Sequence, residues 1–160
     1  MPLCKVWKFD NDVDTDQIIP SQYLLLPTVE EMKAHTLEPI DSGFSGKVSR
    51  GDVIVAGENF GSGSSREQAP RVIKELGISA VIAKSFARIF FRNSINIGLP
   101  VLICGGIYDD VESGDLIEVD MGKGVITNAK NGRTYYSTKL PEYIARIIES
   151  NGLIEFINAK

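Results

Sequence analysis

Residues 57–70, GENFGSGSSREQAP, combine glycines, serines and one arginine in a pattern that could hold an anion. Arginine suits bidentate recognition of a carboxylate or phosphate, and glycines let a backbone approach a ligand closely. The stretch is not a Walker loop, because no Gly-Lys-Ser/Thr ends it, and GSGSSR lacks the third glycine of a dinucleotide fingerprint. The residues therefore predict an anion site with Arg66 as its charged group, and they leave the anion unidentified.

A purely structural interpretation of the same residues is equally open. Ser64 lies three residues before Glu67, a spacing that is typical of a capping box at the first turn of a helix. Apolar residues recur at helical spacing from Arg66 to Leu76, so Ser64 and Ser65 stand where that helix is expected to begin. The unpaired amides of a helix start could bind an anion as well as accept a cap.

The elements around this loop predict an α/β fold. Short apolar runs indicate strands near residues 5–9, 52–57, 79–85 and 99–104, with helices at 66–76 and 86–95 between them. Alternating runs separated by MGKG and KNG indicate hairpins in 115–138, and a final helix is predicted after Pro141. Residues 27–50 show no sustained period, which predicts a long excursion with one short helix. We expect a single domain over residues 1–160 with a β-rich layer on one side.

Composition limits the classes of function. The net charge of −4 argues against nucleic-acid binding, and no apolar run approaches a membrane span. The N-terminus lacks the apolar core of a signal peptide. Two cysteines do not make a disulfide framework, so we expect a cytoplasmic protein. Two cysteines, Cys4 and Cys104, and one histidine are too few for a complete iron–sulfur or zinc site in this chain. That histidine, His35, is expected to be incidental unless its excursion closes over an active site.

Three stretches resemble signatures of the swivel domain of the aconitase superfamily, in the same order along the chain. They are DTDQIIPSQYL, GENFGSGSSREQAP and AKSFARIFFRNSINIGLP. The resemblance spans about residues 3 to 150 and is greatest to the small subunits of 3-isopropylmalate dehydratases. It implies a three-layer β/β/α swivelling domain in a hydro-lyase whose large subunit holds the four-iron, four-sulfur cluster. The small subunit would swivel over that cluster and be active only with its partner.

The resemblance also implies roles for the Ser-Ser-Arg triplet. Its first serine is the catalytic base in this family, which makes Ser64 the expected base, and Ser65 and Arg66 the expected substrate-binding residues. The base would remove a proton from the carbon next to a carboxylate, while Lewis-acidic iron assists the departing hydroxyl. Rehydration in the other orientation would interconvert 2-isopropylmalate and 3-isopropylmalate, a step of leucine biosynthesis.

Leu25, in YLLLPT, is the expected specificity residue. In relatives that take tricarboxylates this loop resembles Tyr-Leu-Arg-Thr, and the resemblance implies that the arginine holds the extra carboxylate. Leucine cannot pair a carboxylate but favours an isopropyl group, with roughly 0.8 kcal/mol at stake per buried methylene. YLLL could instead be a helix or core segment.

Two alternative functions remain open. The chain could be the small subunit of a related hydro-lyase that acts on citramalate, dimethylmalate or homoaconitate, or it could be a non-catalytic anion-binding assembly domain.

Other charged residues lead to weaker expectations. Lys84, Arg88 and Arg92 could line the cleft or only face solvent. Asp14 and Asp16 have no further metal ligands nearby in the sequence, so they are expected to cap a turn or to meet the partner subunit. The expected partners are thus a cluster-bearing large subunit and a hydroxy-dicarboxylate, with homo-oligomers possible when the chain is isolated.

Overall fold

The computed structural model describes residues 2–159. Its seven strands form one sheet in the order β4-β3-β2-β1-β5-β6-β7. The strands are β1 (Leu3–Phe9), β2 (Val53–Ala56), β3 (Ala80–Ala83), β4 (Val101–Ile103), β5 (Leu116–Asp120), β6 (Val125–Asn128) and β7 (Thr134–Tyr136). The helices are α1 (Thr15–Ile18), α2 (Val29–Met32), α3 (Phe44–Lys47), α4 (Gln68–Glu75), α5 (Arg88–Asn96), α6 (Gly106–Asp110), α7 (Glu142–Glu149) and α8 (Leu153–Asn158). Two 3₁₀ turns lie at Ser21–Leu25 and Lys33–His35.

The parallel half of the sheet is covered by helices on one face. Strands β1 to β4 pair in parallel and lie in sequence order across the sheet. Right-handed crossovers between strands that advance in one direction all lie on the same face. Ile54 and Ala56 of β2 accordingly pack with Val72 and Ile73 of α4 in one buried cluster. This cluster is the core between the sheet and the helices.

The antiparallel half of the sheet covers the opposite face. Strand β5 pairs antiparallel with β1, and β6 and β7 continue the meander. Ile117 of β5 and Ile126 of β6 share a second buried cluster with Val53, Val55 and Ile82 of the parallel strands. The meander therefore curls back over the sheet, which gives three layers and confirms the predicted β/β/α fold class.

Several predicted elements differ in extent from the observed ones. The four parallel strands, the two hairpins and the helix after Pro141 are confirmed. The helix predicted from Arg66 begins instead at Gln68, because residues 61–66 are held in a non-helical path by neighbouring segments. The excursion at 27–50 contains α2, a 3₁₀ turn and α3 rather than one helix, and α8 follows α7. Helices this short leave no periodic trace in a sequence.

Within residues 2–159, no helix combines the length and the apolar composition that crossing a bilayer requires.

Candidate functional site

Three loops meet at the carboxyl edge of the parallel strands. Residues 10–19 follow β1, residues 57–67 follow β2, and residues 84–87 follow β3. We call residues 57–67 the glycine loop. Parallel strands end on the same edge of a sheet, where α/β proteins generally bind their ligands. The fold therefore brings the three signature stretches together, although they are up to 70 residues apart in the chain.

The glycine loop is fixed by backbone hydrogen bonds on both sides. The Gly61 amide donates to the Val13 carbonyl at 2.7 Å, and the Ser62 carbonyl accepts from Thr15 at 2.8 Å. On the other side the Phe60 amide donates to the Ser85 carbonyl at 3.1 Å. A loop held in this way is a positioned element rather than a flexible linker.

Two of the glycines are required by contacts within the protein. At Gly61, where φ is +85°, a Cβ atom would lie 2.2 Å from Cγ of Phe90 on α5. At Gly57 a Cβ atom would lie 1.9 Å from Oδ1 of Asn11. Real Cβ contacts are never this short, so a side chain at either position would push the loop off its neighbours. The sequence suggested that these glycines admit a ligand, whereas their close neighbour is the protein itself.

Ser64 and Ser65 are exposed and do not cap the helix that follows. Helix α4 begins at Gln68, and its N-cap residue, Glu67, makes no side-chain capping hydrogen bond. The predicted capping box at Ser64 and Glu67 is therefore wrong. A capping box forms instead on α1, where Asp14 accepts from the Gln17 amide. Within the described part of the chain neither serine hydroxyl has a hydrogen-bond partner, so both are available to a bound molecule.

Arg66 joins the glycine loop to the segment after β1. Its Nη1 donates to Oδ1 of Asp16 at 3.1 Å and to the Ile19 carbonyl at 2.9 Å. The side chain is 18% exposed, so it is held rather than free in solvent. Its Nε and Nη2 make no hydrogen bond to the described residues, which leaves three of its five N–H donors available. Asp16 also accepts from the Ser21 amide at 3.4 Å, at the start of the Ser21–Leu25 turn, as the expected turn cap would. Its contact with Arg66 was not expected from the sequence.

Leu25 lies in the Ser21–Leu25 turn, which follows Ile19 and Pro20. It is 90% exposed, whereas its neighbours Leu24 and Leu26 pack against the core. The alternative that YLLL is a core segment therefore holds for Leu24 and Leu26 but not for Leu25. Because Arg66 binds the carbonyl of Ile19, the turn is joined to the glycine loop through Pro20.

The same turn is contacted by the 27–50 excursion. Tyr23 donates to Oε1 of Glu38 at 2.8 Å, and Nδ1 of His35 lies 2.6 Å from Oε2 of Glu38. The rings of Tyr23 and His35 stack, with centroids 3.6 Å apart. Hydrogen bonds from His35 and Tyr23 lower the pKa of Glu38, and its carboxylate raises the pKa of Tyr23. His35 therefore has a structural contact with Glu38, and only its i, i+3 spacing to Glu38 hinted at this contact.

The three basic residues near α5 do not converge on the serines. Lys84 forms an ion pair with Asp109 at 3.6 Å and lies over the ring of Tyr108. Arg88 and Arg92 are exposed and line a cavity between α5 and α7. Of the two alternatives, facing solvent therefore fits Arg88 and Arg92 better than it fits Lys84.

A cavity of about 760 Å³ lies at the carboxyl end of β1 but does not enclose the predicted site. Its wall comes from the end of β1 and the residues after it, from α6 and its C-terminal neighbours, and from Ile40 and Asp41. Ser64, Ser65, Arg66 and Leu25 do not line it. Of these four residues, Ser64, Ser65 and Leu25 are exposed, whereas Arg66 is partly buried.

The donor set of the chain does not fit a metal cluster. No group of three or more histidine, cysteine, aspartate or glutamate side chains is placed to hold a metal among residues 2–159. Cys4 and Cys104 are both buried and unpaired, and burial raises the pKa of the Cys104 thiol. Iron–sulfur clusters are held by several thiolates, which this arrangement cannot supply.

Comparison with known proteins gives consistent matches over the whole chain. Residues 8–103 match the aconitase C-terminal domain family. The chain is 53% identical over 154 residues to the 3-isopropylmalate dehydratase small subunit of Clostridioides difficile, covering 96% of this chain and 94% of that one. It is 48% identical over 157 residues to that of Hydrogenobaculum, covering 98% and 95%. A crystal structure of 3-isopropylmalate dehydratase from Methanocaldococcus jannaschii superposes with a TM-score of 0.93 at 44% identity, covering 98% of this chain and 93% of that one.

Proposed function

Because this chain belongs to the family of 3-isopropylmalate dehydratase small subunits, a hydro-lyase family of the aconitase superfamily, we propose that it contributes the base and the substrate-side contacts to an active site shared with a large subunit. Residues 1–160 act as one swivel domain in this proposal. Ser64 is the base, Ser65 and Arg66 bind the substrate, and Leu25 selects its side group.

The observation that supports this proposal most is that the hydroxyls of Ser64 and Ser65 are exposed and unbonded on a fixed loop. Both hydroxyls are exposed and have no partner among residues 2–159, although the loop that bears them is fixed on both sides. A surface serine with only a structural role would normally cap a helix or bond to the nearby backbone. Rigid support together with free hydroxyls is what a pre-organised catalytic group needs.

The proposed chemistry begins with proton removal from the carbon next to a carboxylate. Serine is a weak base, so its alkoxide needs a positive environment. Arg66, which lies two residues from Ser64 in the same loop, can supply that environment. Nε and Nη2 of Arg66 can bind a substrate carboxylate while Nη1 stays on Asp16 and Ile19.

The substrate's side group is assigned to Leu25. An exposed leucine that is not used in the core can cover an isopropyl group, at roughly 0.8 kcal/mol per buried methylene. A carboxylate stranded against the same leucine would be left without a partner, which costs several kcal/mol in a dry site. The turn therefore favours a hydroxy-dicarboxylate with an apolar branch over a tricarboxylate.

The four-iron, four-sulfur cluster of this reaction is assigned to the large subunit. Ser64, Ser65 and Leu25 are exposed in this chain, which suits a site that a second protein closes. In this proposal the chain is inactive alone and becomes active on association.

Replacement of Ser64 tests the proposal. Ser64→Ala, reconstituted with the large subunit, should lower kcat for 2-isopropylmalate by about 10²- to 10⁴-fold, the usual effect of losing a general base. The matched control is Ser62→Ala, which removes another hydroxyl from the same loop and should keep kcat near wild type. If Ser64→Ala retains more than about a tenth of the wild-type kcat, Ser64 is not the base.

A further inference from the structure

The Ser21–Leu25 turn is weakly held by its own hydrogen bonds. It is a five-residue 3₁₀ segment, at whose ends Tyr23 donates to the Pro20 carbonyl and Leu26 to the Tyr23 carbonyl, at 3.0 and 3.1 Å. Hydrogen-bond geometry in 3₁₀ turns is poorer than in α-helices, and such turns stay short for that reason. The direction in which Leu25 points therefore depends on what the rest of the protein does to this turn.

Tyr23 connects the Ser21–Leu25 turn to the 27–50 excursion. Its hydroxyl donates to Glu38 at 2.8 Å, and its ring lies parallel to that of His35, with 4° between the planes. His35 is bound in turn to the other oxygen of Glu38. Tyr23 is thus fixed by a hydrogen bond at its tip and by a stacked ring on its face.

His35 and Glu38, which contact Tyr23, belong to a segment that is packed into the core. Thr36 and Leu37, which lie between His35 and Glu38, are 1% and 0% exposed. The Leu37 amide donates to the Ile18 carbonyl at 2.9 Å, which ties the excursion to the end of α1. The contacts of Tyr23 therefore start from a buried segment and not from a mobile loop tip.

We propose that Tyr23, His35 and Glu38 form a positioning cluster that fixes the orientation of Leu25 and thereby the choice of the substrate's side group. This inference rests on the proposed function of Leu25 and extends it to three other residues of the same region. None of the three residues touches the substrate; each acts through the turn.

The effect of this cluster on turnover should be selective. Ser64 and Arg66 lie on the glycine loop, whose backbone is bonded to residues 13–15 and 85. Arg66 is also bonded to Asp16 and Ile19, which precede the turn, and none of these partners belongs to the cluster. Loosening the turn therefore leaves proton removal intact but weakens the contact with an isopropyl group. The consequence falls on KM and on discrimination between branched and short side groups, not on kcat.

The test compares 2-isopropylmalate with citramalate, which has a methyl group in place of the isopropyl group. Kinetics are measured on the holoenzyme reconstituted from the large subunit and each small-subunit variant. Glu38→Ala removes both contacts, whereas Glu38→Gln can still accept from Tyr23 and face His35. Glu30→Ala, an exposed carboxylate on the same excursion, is the matched control. Leu25→Ala shows whether the turn discriminates between the isopropyl and methyl side groups of the two substrates.

The two additional carbons of the isopropyl group are worth about tenfold in discrimination. Glu38→Ala should therefore lower the ratio of kcat/KM for 2-isopropylmalate over citramalate by about 3- to 10-fold, mainly through KM. Glu38→Gln should restore most of the ratio, and Glu30→Ala should match wild type. The inference is overturned if Leu25→Ala lowers the ratio and Glu38→Ala does not, or if Glu38→Ala slows both substrates equally. If Leu25→Ala itself leaves the ratio unchanged, the proposed role of Leu25 fails first, and the positioning role fails with it.

Discussion

Arg66 shows how one side chain can serve the scaffold and a ligand at once. One end of its guanidinium binds Asp16 and the Ile19 carbonyl, which fixes its plane and limits its rotamers. The remaining donors then face a ligand without a further loss of side-chain entropy, which is the general benefit of a pre-organised group. Lysine has the same charge but no planar fork, so it cannot hold both sets of partners.

Arg66→Lys is therefore expected to raise KM. A hydrogen bond to a charged group is worth about 1.5–3 kcal/mol, which corresponds to a rise of about 10- to 100-fold in KM for 2-isopropylmalate. The measurement is steady-state kinetics of the reconstituted enzyme, with Arg92→Lys on the exposed face of α5 as the control. An unchanged KM in Arg66→Lys would remove Arg66 from the substrate site.

Leu25→Arg is expected to shift substrate preference toward a tricarboxylate. A guanidinium forced against an isopropyl group lowers kcat/KM for isopropylmalate, and it can pair the extra carboxylate of homoaconitate. The gain on homoaconitate is expected to be smaller than the loss on isopropylmalate, because a bidentate pair needs a geometry that one substitution does not supply. The measurement is the ratio of kcat/KM for isopropylmalate to kcat/KM for homoaconitate, compared between wild type and Leu25→Arg. A ratio that stays constant would mean that the turn is only scaffold.

At the scale of elements, the contrast between the parallel strands and the excursion shows what a sequence can reveal. DVIVAG and SAVIAKS are local apolar runs, so their strands could be predicted without knowledge of the partners. Helix α2 and α3 have four residues each, which is too short for any period. Their positions are set by tertiary contacts such as the buried side chains of Met32 and Phe44.

The capping box at Ser64 failed for a related reason. Its spacing was correct, but a capping box is a local preference of about 1 kcal/mol. The path of the glycine loop is decided by several distant contacts that act together, among them the bond of Gly61 to Val13 and its close approach to Phe90. The roles of the site residues were likewise accessible only through family resemblance, because nothing in their spacing specifies a base.

The cluster that holds the Ser21–Leu25 turn should leave a signature in the pH dependence of stability. Hydrogen bonds from His35 and Tyr23 lower the pKa of Glu38 below its ordinary value of 4.5. A lowered carboxyl pKa stabilises the folded state at pH values above 4.5, and this contribution is lost as the pH falls through the lower folded-state pKa. The raised pKa of Tyr23 affects stability at alkaline pH. Its stabilising contribution is present below pH 10 and is lost as the pH rises through the higher folded-state pKa.

Glu38→Gln isolates this contribution because glutamine does not titrate. Urea unfolding at a series of pH values should show the largest acid-side difference in the free energy of unfolding between wild type and Glu38→Gln just above pH 4.5. The difference should then shrink as the pH falls further. The effect is expected to be modest because the Glu38 side chain is partly solvated. A difference that grows toward low pH would contradict the assigned hydrogen bonds.

At the scale of the whole molecule, the sheet explains why the site is open. Strands β1 to β3 deliver their loops to one edge, and the helices and the β5–β7 meander cover the two faces without closing that edge. The three signature stretches come together there, and among residues 2–159 Ser64, Ser65, Arg66 and Leu25 do not line the cavity at the end of β1. In the proposed function, a large subunit closes the site over these residues.

The central claim is that this chain brings the base to an active site shared with the large subunit, and a competition measurement tests it most directly. A fixed, limiting amount of large subunit is saturated with mixtures of wild-type and Ser64→Ala chains at constant total concentration. Ser64 is exposed and its hydroxyl has no partner among residues 2–159, so Ser64→Ala is expected to keep the fold and to bind the large subunit as the wild-type chain does. Activity on 2-isopropylmalate is then predicted to fall in proportion to the fraction of Ser64→Ala chain, toward nearly zero with the variant alone. Activity that stays constant across the mixtures would show that the base lies elsewhere and would contradict the account.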